Sequence, residues 1–453
     1  MFIDFLLDVF RERQNEPWMI WNDTEFTYDA LGRGVAAWNR TLESRGVRAG
    51  DVVALTGDFS PHAVAAFLAL IERQCVVVPL TDAVAVKRAE FLEVCQANVS
   101  ISVTGEHAHD VTTLPGTPDH PLYEELRRRR HPGLVLFSSG STGASKAAVH
   151  DLVPMLAKFT VRKRRMRTIA FLLFDHIGGI NTMLYTLSNG GTLIVVTDRS
   201  PDSVLGQIAR HRAELLPASP TFLNLMLLSE AYRRYDLSSV RTITYGTEPM
   251  PESTLRRVAE VLPGVKLQQT YGLSELGILR SQSRDSHSTW VKVGGEGFET
   301  RVVDGILQIR AASAMLGYLN APSPFTEDGW FDTGDLVTVD GDYMRIHGRR
   351  SELINVGGEK VHPGEVENVI QESPHVAEVT VYGERNPLVG QVVCATVRKA
   401  GDAPDRDVRL EILRLCAARL ERFKVPAKIT FADGPQYTAR FKKDRHRGPD
   451  AAA

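Results

Sequence analysis

The chain has little cysteine, no long apolar run and no excess of one charge, and each shortage removes a class of protein. Its four cysteines, Cys75, Cys95, Cys394 and Cys416, form no CxxC pair and have no histidine at zinc spacing. That excludes a disulfide scaffold or a zinc ribbon and is the pattern of reduced thiols in a cytoplasmic protein. No apolar stretch approaches the roughly 18 residues of a membrane-spanning helix. The opening MFIDFLLDVFRER is interrupted by Asp4 and Asp8 and has no basic segment before it, so it reads as an amphipathic surface helix and not as a signal peptide. A formal charge of -2 speaks against a polyanion as the main partner, and no nucleic-acid or membrane partner is expected. Two basic clusters, RRRR at 127–130 and RKRRMR at 162–167, carry no interleaved aromatics and read as solvated surface.

What is present is the composition of an ordinary globular chain. With 453 residues, 43% of them hydrophobic and 24% charged, it exceeds what one core usually organises, and unequal domains are expected. FTYDALGRGVAAWNRTLESRG carries apolar residues at helical spacing, DVVALTGD reads as a strand, HAVAAFLALIERQ as a helix and CVVVPL as another strand. GTLIVV, SVLGQIARHR, ELLPAS, FLNLMLLSEAYRR and SVRTITYG continue the alternation, which predicts an α/β fold of mostly parallel sheets covered by helices. Charges and glycines then crowd DGDYMRIHGRRSELINVGG at 340–358. Beyond it VAEVTVYGE and QVVCATVRK read as strands, and RLEILRLCAARLERF as a helix with Leu410, Leu413, Ala417 and Leu420 on one face. The expected division is a large multi-sheet N-terminal domain, 1–349, and a small mobile α+β C-terminal lid, 350–453, with a site in the cleft between them.

The residues that carry chemistry begin at LVLFSSGSTGASK, where an apolar run breaks into Ser138, Ser139, Gly140, Ser141, Thr142 and Gly143 and closes on Lys146. Small residues let backbone N–H groups converge on phosphate oxygens, hydroxyls add donors and the lysine adds a mobile charge. The loop is an anion cradle. It is not a Walker A sequence, which needs GxxxxGK followed by Ser or Thr, because here the spacing is GxxGxxK and Ala147 follows.

SSGSTGASK resembles the phosphate-binding signature of the adenylate-forming superfamily, which includes acyl- and aryl-CoA synthetases, adenylation domains of peptide synthetases, and luciferases. Further segments resemble that family's signatures in the expected order: YGTEP from Tyr245, YGLSELG from Tyr271, WFDTGDLV from Trp330, GRRSELINVGGEKVHPGEVE from Gly348 and FKKDR from Phe441. Together they span nearly the whole chain. The resemblance implies an ATP- and magnesium-dependent ligase that activates an acid as its acyl-AMP, releases pyrophosphate and passes the acyl group to an acceptor. Coenzyme A is the expected acceptor, with an amine or a free-standing carrier protein as the alternative, or an unusual oxyanion in place of the carboxylate. A nucleotide-binding protein without catalysis is the reading of another class, and the presence of Lys442 and Glu275 argues against it.

By that resemblance Glu275 ligates magnesium, Thr270 and Tyr271 contact the α-phosphate and adenine, and Gly272 and Ser274 belong to the same loop. Gly246, Thr247 and Glu248 close over the base. Asp335 accepts both ribose hydroxyls, which suits a carboxylate with two acceptor oxygens, and Arg349 reaches the ribose from the domain boundary. Lys442, three before Arg445, bridges the substrate carboxylate and the α-phosphate, with Lys443 the competing candidate. His176 in FDHIGG gates the path between acid and thiol, and Asn181, Pro220, Thr221, Ile278 and Arg280 are expected pocket walls. As bare sequence features, Glu275 serves equally as a helix-start glutamate, Asp335 as a turn residue and His176 as a core histidine. The chain departs from the family pattern at Ala147 and Phe441, where glycines are usual, at Ser351 on the expected hinge, and in a shortened segment between Gly105 and Pro132.

Overall fold

A computed structural model describes residues 2–103, 105, 109–139, 145–438 and 443, with the side chain of Ser139 outside that description. Among the described residues, two seven-stranded sheets form the bulk of the large domain. In one, the strands Gly133–Ser139, Val76–Leu80, Val52–Thr56 and Val99–Val103 run parallel. Antiparallel strands close it at both ends. In the other, Lys266–Gln269, Thr242–Tyr245, Leu215–Ala218, Arg167–Ala170, Thr192–Val195 and Pro17–Trp21 are parallel, and Thr24–Thr27 turns back at the edge.

Alternating side chains explain the layering. Val53 and Leu55 point into a core shared with Met19, Leu193 and Val195 of the second sheet, while Val52 and Ala54 face a separate core with Phe91 and Tyr123. The period of two thus puts apolar groups on both faces of each strand, as a parallel sheet covered by helices demands. The helix Pro61–Glu72 lies within the shared core, and every residue from Ala63 to Ile71 is buried. A helix apolar all round is stable only when enclosed in this way. Its start is fixed by Ser60, whose Oγ accepts from the Ala63 amide at 3.2 Å, and by Pro61 in the first turn.

The structure adds a sheet that strand–helix alternation did not foretell. Six antiparallel strands between Ser281 and Arg349 pack around Leu307, Ile309, Phe331 and Met344. Its last strand, Tyr343–Arg349, runs into a short 3-10 turn at Arg350–Glu352, and the next strand, Ile354–Val356, already belongs to another sheet. That sheet, with the helices Pro363–Ile370 and Asp405–Arg419, encloses its own core of Val361, Val379, Val397 and Ile412. The helix Asp405–Arg419 buries a different face from the expected one. Val408, Ile412 and Cys416 are buried, Leu413 and Leu420 flank them, and Leu410 is 42% exposed. The stripe runs in steps of four from a valine upstream of the leucines, and Cys416 acts within it as a small hydrophobe.

All four cysteines are buried and unbridged, and burial pushes the thiols of Cys75 and Cys95 up to about 12. No helix among the described residues is long and apolar enough to cross a membrane. In the basic clusters Arg128 and Arg129 pair with Glu125, and Arg162 and Arg165 pair with Glu12 and Glu16.

The start of the helix Ile177–Ser188 carries the tightest glycine in this part of the fold. A Cβ on Gly179 would stand 2.0 Å from the Leu173 carbonyl oxygen, backbone that cannot move aside as a flexible side chain can. Gly179→Ala is expected to destabilise the large domain by about 1–3 kcal/mol, read as a lower urea midpoint at unchanged slope. An unchanged midpoint would refute this close approach.

Candidate active site

The residues predicted from sequence collect at the ends of strands from all three sheets of the large domain. Gly140, Ser141, Thr142, Gly143 and Lys442 lie outside the described residues. Ser138 and Lys146 are opposite one another in the antiparallel pair Gly133–Ser139 and Ser145–Asp151. Facing them is Glu275, buried at 9% exposure. Its Oε1 accepts from the Tyr318 hydroxyl at 2.7 Å and from Ser138 Oγ at 3.4 Å. Lys146 Nζ stands 5.4 Å from the centre of the Tyr318 ring. Burial and the neighbouring Glu275 carboxylate push the Tyr318 hydroxyl well up, so it stays a donor.

Tyr318 was not singled out from the sequence. It occupies the two-residue strand Gly317–Tyr318, paired with Val149 and Ala148 at the edge of the first sheet. His150, two residues further along that partner strand, was also missed. It is fully buried, and its Nε2 lies 2.6 Å from the Ser274 carbonyl oxygen, the peptide just before Glu275. Burial holds this imidazole down to about 4, so at neutral pH it is an uncharged donor that fixes the loop.

The same loop leads to a second cluster. The Tyr271 hydroxyl donates to Asp335 Oδ2 at 2.6 Å, and Arg349 Nε approaches Asp335 Oδ1 at 3.7 Å across the strand pair Phe331–Asp340 and Tyr343–Arg349. Burial raises the Asp335 carboxyl, opposed by the Arg349 charge and the Tyr271 hydroxyl. Tyr271 is itself raised, first by burial and then by Asp335. Gly334 precedes Asp335 with φ 69°, a left-handed turn inside the strand. Thr270 donates through its amide to the Tyr245 carbonyl at 2.7 Å, and a Cβ on Gly246 would come within 2.7 Å of the Thr270 oxygens. Thr247 holds φ 76°, a strained position for a β-branched residue. Gly272 pairs with Ile278, closing a tight hairpin that carries Ser274 and Glu275 between its arms.

The carboxylate of Glu248 is turned toward other duties. Its Oε1 accepts from the amide of Thr221 at 2.9 Å and from the Thr221 hydroxyl, at the N-terminus of the helix Pro220–Leu228, where a negative charge is stabilised. Its Oε2 accepts from the backbone amide of Lys443 at 3.3 Å. The ammonium of Lys443 pairs with the buried Glu367 at 2.8 Å. Around these groups lies a cavity between the two halves, lined by Asn224, Thr254, Gln371, Thr380 and Gln436. His176 is half-buried and caps the helix Ile177–Ser188, accepting from the Gly178 amide at 3.1 Å through Nδ1. That helix packs against the strand Gly277–Ile278.

Two neighbouring sites, a buried carboxylate held by two hydroxyls near Lys146 and a second carboxylate paired with tyrosine and arginine, lie in a large domain joined to a smaller one with its own core. The chain belongs to the family of AMP-binding enzymes. The family's sequence model matches residues 8–319, and that of the AMP-binding enzyme C-terminal domain matches residues 365–442. It is an adenylate-forming ligase, the class to which that family belongs. Among relatives, a feruloyl-CoA synthase of Amycolatopsis sp is 29% identical, over 90% of each chain. An indoleacetate–CoA ligase of Aromatoleum aromaticum is 30% identical over 69% of this chain and 66% of its own. Among solved structures, an anthranilate CoA ligase in complex with anthranoyl-AMP superposes with a TM-score of 0.84, at 22% identity, over 100% of this chain and 97% of its own. An amide bond synthetase from Marinactinospora thermotolerans gives 0.78 at 24% identity over 98% of each. The α/β fold with its smaller C-terminal domain is the fold of these enzymes.

His150 gives the site an acid limit. A folded-state value near 4 against an unfolded 6.5 means the unfolded chain binds the extra proton first, so stability present above pH 6.5 is lost as pH falls toward 4. The loss attributable to this residue is about 3 kcal/mol. The difference in unfolding free energy between the native protein and His150→Phe, measured in urea at several pH values, should shrink by that order between pH 7 and 4. A difference independent of pH would remove the assignment.

Proposed function

We propose that the protein uses ATP and magnesium to convert a carboxylic acid into its acyl-AMP and then transfers the acyl group to the thiol of coenzyme A. The observation that carries this reading is the convergence of Ser138, Lys146, Glu275 and Tyr318 beside Tyr271, Asp335 and Arg349, in a chain whose relatives are CoA ligases. The first set suits a polyphosphate and the second a ribose.

In the first half-reaction an acid oxygen attacks the α-phosphorus, an O–P bond forms, and the bond to the β-phosphate oxygen breaks to release pyrophosphate. The obstacle is repulsion between carboxylate and phosphates. Lys146 places a cation beside the polyphosphate, and the lid brings Lys442 to bridge the two reacting groups. In the second half-reaction the thiolate sulfur attacks the acyl carbon, a C–S bond forms and the C–O bond to AMP breaks, while the thiol proton goes to solvent. His176 stands at the mouth of the helix that borders this path. The lid, taken as residues 350–453, turns about Arg350 and Ser351 between the two steps.

Glu275 fits magnesium. It is a hard oxygen donor whose described partners are two neutral hydroxyls, and among the described residues no cluster of three ligating side chains offers an all-protein cage. Magnesium held by one carboxylate and the substrate's own phosphates is the common arrangement. When bound it offsets charge on the phosphates. The protein's part is to aim Glu275, through Tyr318, Ser138 and the His150 grip on Ser274.

Between the adjacent lysines the contacts favour Lys442 for the chemistry. Lys443 is engaged with Glu367 and, through its amide, with Glu248, which occupies its ammonium and leaves the bridging role to Lys442. Lys442→Ala is expected to lower acid-dependent pyrophosphate release about a hundred- to a thousand-fold. Lys443→Ala should act mainly on the stability of the lid, and the reverse pattern would exchange their roles. The reaction itself is tested by pyrophosphate release across aryl, short-chain, long-chain and amino acids, each with and without coenzyme A. Acid-dependent turnover that requires coenzyme A is the expected result. Acid-dependent release indifferent to it would move the acceptor to an amine or a separate carrier protein, and release with no acid would overturn the reading.

A further inference from the structure

One charged side chain near the expected acid pocket is not used by the chemistry above. Lys158 follows the short helix Leu152–Ala157 and points inward. Its Nζ donates to Asn181 Oδ1 at 2.7 Å and to the Ile278 carbonyl at 2.9 Å, and lies 5.0 Å from the Phe159 ring. An ammonium has three donors, so one remains for another acceptor. Among the described residues no carboxylate forms an ion pair with it, whereas Arg199, Lys424 and Lys443, which also turn inward, each have one. Both its partners are neutral oxygens. Burial lowers this amine to about 8, helped by the Lys163 charge, which still leaves it mainly protonated at neutral pH.

Its position relates it to the reacting end of the substrate. Asn181 is on the helix that His176 begins, five residues on, and Ile278 is on the strand three residues after Glu275 and opposite Gly272. Lys158 therefore joins the two elements that flank the hairpin of the active site, about 7 Å along the helix from His176 at 1.5 Å per residue. Asn181 and Ile278 keep partial exposure while their neighbours Ile180, Leu184, Leu276 and Leu279 are buried. Both are expected walls of the acid pocket, so on the adenylation reading the ammonium held between them borders that pocket. A pocket bordered by a cation with no described carboxylate partner selects for a second negative charge on its ligand, away from the carboxylate that reacts.

Resting on the adenylation reading, we propose that Lys158 determines substrate specificity by binding a second carboxylate at the far end of the acid, so that the preferred substrates are aryl or similarly short dicarboxylic acids of which one carboxylate is activated. The second carboxylate supplies the counterion that the described residues do not provide, and monocarboxylic acids leave the ammonium buried without one. The Asn181 carbonyl and the Ile278 carbonyl hold the ammonium in place.

The test compares kcat/KM for pyrophosphate release on matched pairs: benzoate with terephthalate, cinnamate with 4-carboxycinnamate, and hexanoate with adipate. The native enzyme is expected to favour the dicarboxylate at least tenfold in one or more pairs. Lys158→Met should abolish that ratio. Asn181→Asp should abolish it as well, because an aspartate there supplies an internal counterion while keeping the strut to Lys158, which a purely structural lysine would tolerate. Melting temperatures check that each variant is folded, and Asn181→Asp decides if Lys158→Met is not. Monocarboxylates equal or better in every pair, or a dicarboxylate preference that survives both substitutions, would overturn this proposal and leave adenylation standing. Absence of release with any acid would overturn both.

Discussion

The hydrogen bond from Tyr318 to Glu275 depends on more of the structure than its length suggests. A carboxylate at 9% exposure is costly to bury unless donors satisfy it. The donors come from separate places: Tyr318 from an edge strand, and Ser138 from the end of the strand Gly133–Ser139. Both are placed by sheet register, since Tyr318 lies opposite Ala148, and Ala148 opposite Leu136. A slip of one residue in either pairing would turn the donor to the opposite face. The first sheet must therefore form in correct register, and the hairpin from Gly272 to Ile278 must dock on it, before Glu275 can be buried with its donors in place.

The helix Pro220–Leu228 plays a comparable part for the lid. Glu248 bonds to Thr221 at its N-terminus and also reaches the amide of Lys443. One turn further, Asn224 donates to the Ala377 carbonyl of the lid at 2.9 Å. These contacts are polar and few, and the cavity beside them is lined by Gln436, Thr380 and Thr254. Polar interfaces of this kind separate at less cost than a continuous apolar core. The C-terminal domain's own cohesion comes from a core of its own.

Much of this was legible in the sequence because local pattern and motif spacing agree. The strand and helix segments from Val52 to Tyr245 fall where period and flanking residues put them, and the phosphate, hairpin and TGD segments meet at one place. What was not legible depends on partners distant in sequence. Tyr318 belongs to a two-residue strand that no periodicity can reveal, and its role follows from register 170 residues away. His150 looks like any residue of an apolar strand until Ser274 arrives against it. Lys158 carries no local sign of burial. In the lid helix, leucines suggested the wrong face because apolar residues occur on more than one side, and the sheet it packs on selected Val408, Ile412 and Cys416. The antiparallel sheet from Ser281 was concealed at its start, where the strands Ser281–Ser283 and Val291–Val293 are three residues long, and later by the Gly334 turn inside the strand Phe331–Asp340.

The uncharged state of His150 ties stability to chemistry. It sits behind Glu275, near enough that the two charges would attract. Were the imidazole protonated at neutral pH, its charge would stand behind the Glu275 carboxylate and attract it from that side. Burial prevents this by making the imidazolium too costly, so the ring offers the Ser274 carbonyl a neutral hydrogen bond and nothing more. The same low-polarity setting keeps the Tyr318 hydroxyl protonated, a donor to Glu275 and not a competing anion. Two neutral donors thus hold the hairpin and its carboxylate from separate strands, the imidazole through the Ser274 carbonyl and the hydroxyl through Glu275 Oε1.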